Sequence, residues 1–594
     1  MGKIQKIFIF IILLQLAGCK EEDANTIKGI SLNTEEITLN KGEEKEIEAI
    51  VYRETSKNGE IKWTSSAPEV ATIEEKKTVG GKTTAAIKGI SYGEAIITAT
   101  SAFDNAKKAT IKVSVSGHTF DEQATGFDFS SGDLITYKAP GEYPQEGKSL
   151  FNVSINGHYT GVYNDINGWK KLVSFSYFDF TPAKEVEIVV TSSNPFSKYE
   201  ILPKSQNITS TKEGNSIRFK LSKANQTLTI VYDNNYQGNT FHLFANAIDV
   251  NAPTQSTDKL IYLGPGYHNL QKEFGGSLDT NNKDIYIAGG AVANGTIVVN
   301  SKGNTVSGHG IFMKSTPNDL VVLINYAKDA VLKDFIVCSH RNGGWTVGTH
   351  EASGITFQNI KVVSTRYAST DGFDIVNSND IHLKDVFIRS CDDAIAIKGL
   401  INDVPNNCPP CENMTFENLQ IWNDCNNAMG LGAETRAKYY QNIHFKNIDV
   451  IFSYDDLSHH DELDERSVMN IVCLNGTFFR NISWEDIRVN RCERLACITF
   501  KDNFWFGTLL GNQSTEGGVD GVTYKNIIVE SNSGSSIANN ILLNGWAGSP
   551  QKIIQNVTFD NVVIEGQRVA SENDKHIKTN NTSRVTLVKD LAFK

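Results

Sequence analysis

The chain has 594 residues, 40% of them hydrophobic and 21% charged, a globular composition long enough for several domains. It carries 57 Lys and Arg against 68 Asp and Glu, a net charge of -11, and no basic block interleaved with aromatics. Nucleic acid is therefore a poor candidate partner.

Residues 1–18 read as an export signal. Lys3 and Lys6 precede an apolar run from Ile7 to Leu16, too short for a spanning helix but of the right length for a signal core. The next letters, "LAGC", resemble the lipobox of bacterial lipoproteins, which implies cleavage before Cys19 and lipid on that cysteine. Lys20, Glu21, Glu22 and Asp23 resemble the acidic tag that sends lipoproteins of Bacteroidetes-type bacteria to the outer face of the outer membrane. The expectation is a cell-surface protein anchored to the outer membrane through Cys19, with 19–26 as linker. Eight cysteines follow Cys19. The lone "CPPC" at Cys408 and Cys411 fits a loop-closing disulfide or two free thiols better than a zinc site, so neither metal nor cofactor is expected.

Residues 27–116 alternate with period two in "EITLNKGE", "IKWTSSAPEVATI" and "GEAIITATS", the pattern of a small β-sandwich. "WTSSAPEVATI…IKGISYGEAIITAT" resembles the bacterial Ig-like domain group 2, which implies a spacer or adhesion module. Residues 117–253 repeat the strand signal in "SLFNVSING", "EVEIVVTS", "SIRFKLSK" and "QTLTIVYD", predicting a second sandwich.

In 254–594 a phrase recurs: "DAVLKDFIV", "SGITFQNIKVV", "NDIHLKDVFIR", "ENMTFENLQIW", "QNIHFKNIDVI", "RNISWEDIRVN", "DGVTYKNIIVE", "QNVTFDNVVIE". Its polar corner falls at Asp334, Asn359, Asp385, Asn418, Asn447, Asp486, Asn526 and Asn561. No such unit buries its apolar face alone, so neighbours must stack. The fold class is all-β: a right-handed parallel β-helix preceded by two β-sandwiches.

Within this repeat "SCDDAIAIKG" sets Asp392 beside Asp393, and "STDGFDI" brings Asp371 about one coil upstream. Desolvated, such carboxylates cost several kcal/mol each and repel one another. A cluster of this kind suits a glycoside hydrolase, with one acid kept protonated by negative neighbours and a base that activates water. "STDGFDI" followed by "CDDAIAIKG" resembles glycoside hydrolase family 28, the polygalacturonases. The resemblance implies Asp392 as general acid, Asp371 and Asp393 as the pair holding water, and inversion at the anomeric carbon. It also implies substrate contact by Lys398; a solvated strand-end lysine is the other reading. The family's G-H-G histidine is replaced in "CNNAMGLGAET", at Asn427 or Ala428, and its R-I-K has no counterpart in "RSVMNIVCLNG". "LIYLGPGYHNLQKEFGG…IYIAGGAVANGTI…VSGHGIF" resembles glycoside hydrolase family 49, the dextranase group.

Asn427 and Glu434 are expected to bind substrate, though Glu434 could instead pair with Arg436. His309 reads as structural, and His459, His460 and Asp461 as an exposed charged loop. Trp345, Trp422, Trp505 and Trp546 could stack on sugars or pack. The expected partner is a polysaccharide. The alternatives are a glycan-binding or adhesion protein that lost the chemistry and, less favoured, a lyase.

Overall fold

The computed structural model describes residues 27–594 except 41, 54–59, 80–81, 91–92, 117–127, 317–319, 341–342, 367–368, 401–407, 455–465, 505–511 and 532–539. Cys19, His459, His460, Asp461 and Trp505 lie outside the described residues. The protein divides into two compact units, the residues up to His118 and, in the main, those after it.

The first unit is a sandwich of two four-stranded sheets. Alternate residues such as Ile37, Leu39, Ile47, Ile87, Ile97, Ile111 and Val113 fill the space between them. Each strand thus keeps one apolar and one polar face.

In the second unit the predicted second sandwich forms from a five-stranded and a six-stranded sheet. Its strand Leu172–Phe180 is buried on both faces. Phe178 and Phe180 point into the sandwich core with Phe151, Ile188 and Phe241. Val173, Phe175 and Tyr177 point the other way and pack on Val292, Ile311, Met313, Ile336, Val363 and Phe387 of the following domain. Asp179, on that same outer face, accepts from Tyr137 Oη (2.6 Å) and Asn246 Nδ2 (3.0 Å) and pairs with His309 Nδ1 (2.5 Å). His309 is therefore structural, as its sequence context suggested. Burial works against its charge and the Asp179 carboxylate outweighs that, so its pKa is raised.

From Leu260 on, the chain winds into a parallel β-helix. All eight predicted corner residues have left-handed backbone, φ from 51° to 77°. Asn and Asp adopt this region most readily after Gly. They also stack: Asn418 Nδ2 donates to Asp385 Oδ1 (2.9 Å), Asn447 to Asn418 (2.7 Å) and Asn561 to Asn526 (3.1 Å). Inside, Phe445, Trp484, Tyr524, Phe559 and Phe593 form a ladder with ring centroids 5.3–5.5 Å apart. Trp422 is fully buried against Tyr236 and Phe452, and Trp546 packs on the helix core, so both are packing residues. No disulfide joins Cys408 to Cys411, and both are buried, as are the other described cysteines.

Candidate active site

One sheet of the helix carries the strands Val347–His350, Phe373–Val376, Ile395–Gly399, Met429–Thr435, Met469–Cys473 and Ala496–Phe500. They pair in parallel, with Val347 opposite Phe373, Phe373 opposite Ile395, Met429 opposite Met469 and Met469 opposite Ala496. Two residues before each of these positions the chain turns a corner, giving a column of Trp345, Asp371, Asp393, Asn427, Ser467 and Arg494. The sequence spacing paired Asp371 with Asp392. The register is one residue longer, so Asp371 stacks on Asp393, and the Gly372 amide donates to the Asp393 carbonyl (2.8 Å). Gly372 is required at this approach, because a Cβ there would lie 2.4 Å from the Ala394 carbonyl oxygen.

The three predicted carboxylates converge. One oxygen from each of Asp371, Asp392 and Asp393 lies within 4.8 Å of the others. Asp392, the half-buried member, accepts from Ser369 N (2.5 Å), Asp393 N (2.9 Å) and Asn426 Nδ2 (2.7 Å). Asp393 Oδ1 accepts from Asn427 N (3.0 Å) and Asn427 Nδ2 (2.9 Å), while Asn427 Oδ1 takes the Ser467 amide (2.9 Å). These donors steady adjacent like charges that the local sequence left without partners.

Lys398 is buried, so its solvated reading falls. Its Nζ lies 3.3 Å from Asp371 Oδ2 and 2.8 Å from Asp374 Oδ1, and 4.1 Å from the centroid of the Trp345 ring. Burial opposes its charge, but Asp371, Asp374, Glu434 and Asp393 together raise its pKa well above the usual lysine value. Burial pushes Asp371 up to about 7 against the pull of Lys398, with Asp392 adding to the rise. Asp393 is raised by burial and then by the charges of Asp392 and Asp371, and Asp374 by burial and then by Asp371. Asp371, Asp374 and Asp393 are thus all biased toward their protonated forms.

The cleft, about 120 Å³, is lined by these groups and by Ser369, Asn426, Ala433, Glu434, Val472 and Phe504. Glu434 reaches it through a bulge: Gly399 pairs with Thr435 two residues out of the preceding register, which loops Gly432 to Glu434 outward. Arg436 donates from Nη2 to the Leu400 carbonyl (2.8 Å) rather than pairing with Glu434. Beyond Trp345 a furrow of about 740 Å³ continues, lined by Asn269, Gln271, Asn294, Thr296 and Lys314 among others. Sequence reasoning missed Asp374 and Asn426, although both lie inside the quoted motifs.

Residues 26–113 match the family model of the bacterial Ig-like domain (group 2). No curated protein matches the chain. Among solved structures, the chain is similar to a family 28 exopolygalacturonase of Yersinia enterocolitica, at 10% identity and TM-score 0.41, covering 70% of this chain and 97% of that one. It is similar also to the catalytic domain of a GH87 alpha-1,3-glucanase in complex with nigerose, at 12% identity and TM-score 0.33, over 78% of this chain and 80% of that one. Domains 4 and 5 of the S-layer protein SbsC match at 20% identity and TM-score 0.14, over 15% of this chain and 52% of theirs.

Proposed function

We propose that the protein is an inverting O-glycosyl hydrolase of a polysaccharide, acting through Asp371, Asp392 and Asp393. The observation that carries this is the meeting of three carboxylates within 4.8 Å at a cleft floor, two of them buried and raised in pKa. A fold gains no stability from such repulsion, and clustered, perturbed acids mark functional sites.

Asp392, the member least buried, is the one placed to deliver a proton to the departing oxygen. Asp371 and Asp393 hold the attacking water. Inverting pairs generally stand about 6.5–9.5 Å apart, wider than the nearest oxygens here. One water making two hydrogen bonds of about 2.8 Å bridges acceptors roughly 4.5 Å apart, a span that fits within the 4.8 Å bounding this cluster.

The sugar at the scissile bond is neutral. Asp371, Asp392, Asp393 and Glu434 line the cleft with Lys398 as the one lysine or arginine among its described lining residues, and two acids already engage that lysine. A uronate carboxylate in this cleft meets net negative charge with no cation left to match it. Trp345 and Phe504 offer ring faces to a sugar.

Reducing-sugar release from a panel of neutral polysaccharides, with NMR of the first-formed product, tests this reading. Inverted configuration is expected. Retention, rapid hydrolysis of polygalacturonate, or no release from any glycan would each count against it.

A further inference from the structure

Arg494 stands in the corner column that contains Asp371 and Asp393. Its side chain is 6% exposed, and its Nε and Nη1 are buried with no hydrogen-bond partner. No carboxylate among the described residues forms an ion pair with it. The other deeply buried lysines and arginines among the described residues are all engaged: Arg389 with Asp424 (3.1 Å), Lys361 with Asn246 (2.8 Å), Lys314 with Thr296 (2.7 Å), Lys552 with the Gln513 carbonyl (2.9 Å) and Lys398 with its two acids. A guanidinium removed from water without an acceptor is strongly unfavourable, and a lysine or arginine that merely lends its stem to packing keeps its head in solvent. Here two of the three guanidinium nitrogens, Nε and Nη1, are buried.

The register fixes its distance from the acids. Arg494 stands two residues before Ala496, as Asn427 does before Met429 and Asp393 before Ile395, so three coils separate it from Asp393. At about 4.8 Å per coil this is roughly 14 Å along the axis. It lies on the side of the carboxylates opposite the furrow beyond Trp345.

We infer that Arg494 binds an oxyanionic substituent, a carboxylate or a sulfate ester, carried by the glycan a short way along from the bond that is cut. The planar guanidinium donates in a fork that matches both groups, and its unmet donors supply the driving force once such a ligand arrives. This inference rests on the cleft being a glycan site. It specifies a substrate neutral where it is cleaved and charged a few coils away.

The test uses three probes on one backbone: dextran, carboxymethyl dextran and dextran sulfate. Each is titrated calorimetrically into the full-length protein, Arg494→Met and Arg494→Lys at physiological ionic strength. The chain's net charge of -11 disfavours unspecific polyanion binding. At least one charged probe should bind the wild type more tightly than dextran. Arg494→Met should lose that difference by about 10-fold to 100-fold, and Arg494→Lys should recover part of it. Equal binding of charged and neutral probes to the wild type, or a difference that survives Arg494→Met, would overturn the inference. Arg494→Met should also melt higher than the wild type, since it removes an unpaired buried charge; a lower melting point would assign Arg494 to the scaffold instead. Binding is read here without turnover. Arg494-dependent binding by a protein that cleaves nothing would refute the hydrolase alone, and a hydrolase indifferent to Arg494→Met would refute the oxyanion site alone.

Discussion

Asp392 and Asp393 are adjacent, yet their donors come from different residues: Ser369 and Asn426 serve the first, Asn427 the second. Asp392→Asn should lower kcat about 10²–10⁴-fold with KM little changed, because proton delivery matters only in the transition state. Near-wild-type turnover on a leaving group that needs protonation would remove Asp392 from the mechanism. The buried acids also set a pH dependence of stability. An unfolded aspartate loses its proton near pH 4, whereas Asp371 holds its own to about 7. Between those values the folded chain binds more protons than the unfolded one, so stability falls as pH climbs through that window. Asp371→Asn should accordingly raise Tm at pH 8, with the gain vanishing near pH 4; a loss at pH 8 would mean that the Lys398 pairing outweighs burial. The three aspartates were legible because acid clusters are rare in apolar repeats. Asp374 was not, since between Phe373 and Ile375 it reads as an ordinary outward polar position, and only the fold covers it with Lys398. Arg494 was hidden for the same reason: nothing in "NRCERLACITF" says which charge lacks a partner.

At the level of strands and corners, the repeated phrase carried the architecture. Alternation gave the strands, and a polar residue recurring at one place in each unit gave the corner, where left-handed backbone favours Asn and Asp. Asn418 combines that backbone, φ 58°, with bonds to Asp385 and from Asn447. Asn418→Ala should cost about 2–3 kcal/mol, part from the left-handed strain and part from the two hydrogen bonds, and Asn418→Gly should cost less because only the bonds are lost. Urea denaturation of both variants checks this, and the reverse order would sink the account. The bulge that presents Glu434 was invisible in sequence, because Gly432 and Ala433 continue an apolar run and the register shift exists only against Ile397 and Gly399 of the preceding coil.

For the whole molecule, the second sandwich is the informative case. Its strands were readable, but the outward face of Leu172–Phe180 finds its partners more than a hundred residues later, a pairing no local pattern encodes. Removing residues 1–118 should leave a soluble, cooperatively folding protein, because that segment is its own compact unit. Starting the chain at 254 should give aggregation, since Val292, Ile311, Ile336, Val363 and Phe387 lose their cover; a monodisperse 254–594 fragment would contradict the packing described. The lipobox reading of "LAGC" predicts that Cys19→Ser releases the protein from the outer membrane and that protease added to intact cells reaches the wild type. Shielding by the intact cell would refute surface exposure. The corner column has a further consequence. Its successive members are 26, 22, 34, 40 and 27 residues apart along the chain, while each advances the axis by one coil. Linear distance in the gene is thus uncoupled from position in space: insertions are absorbed sideways, and the interval from Asp393 to Arg494 stays a whole number of coils. Loop insertions can therefore reshape the walls of the cleft while the side chains of the column keep their alignment.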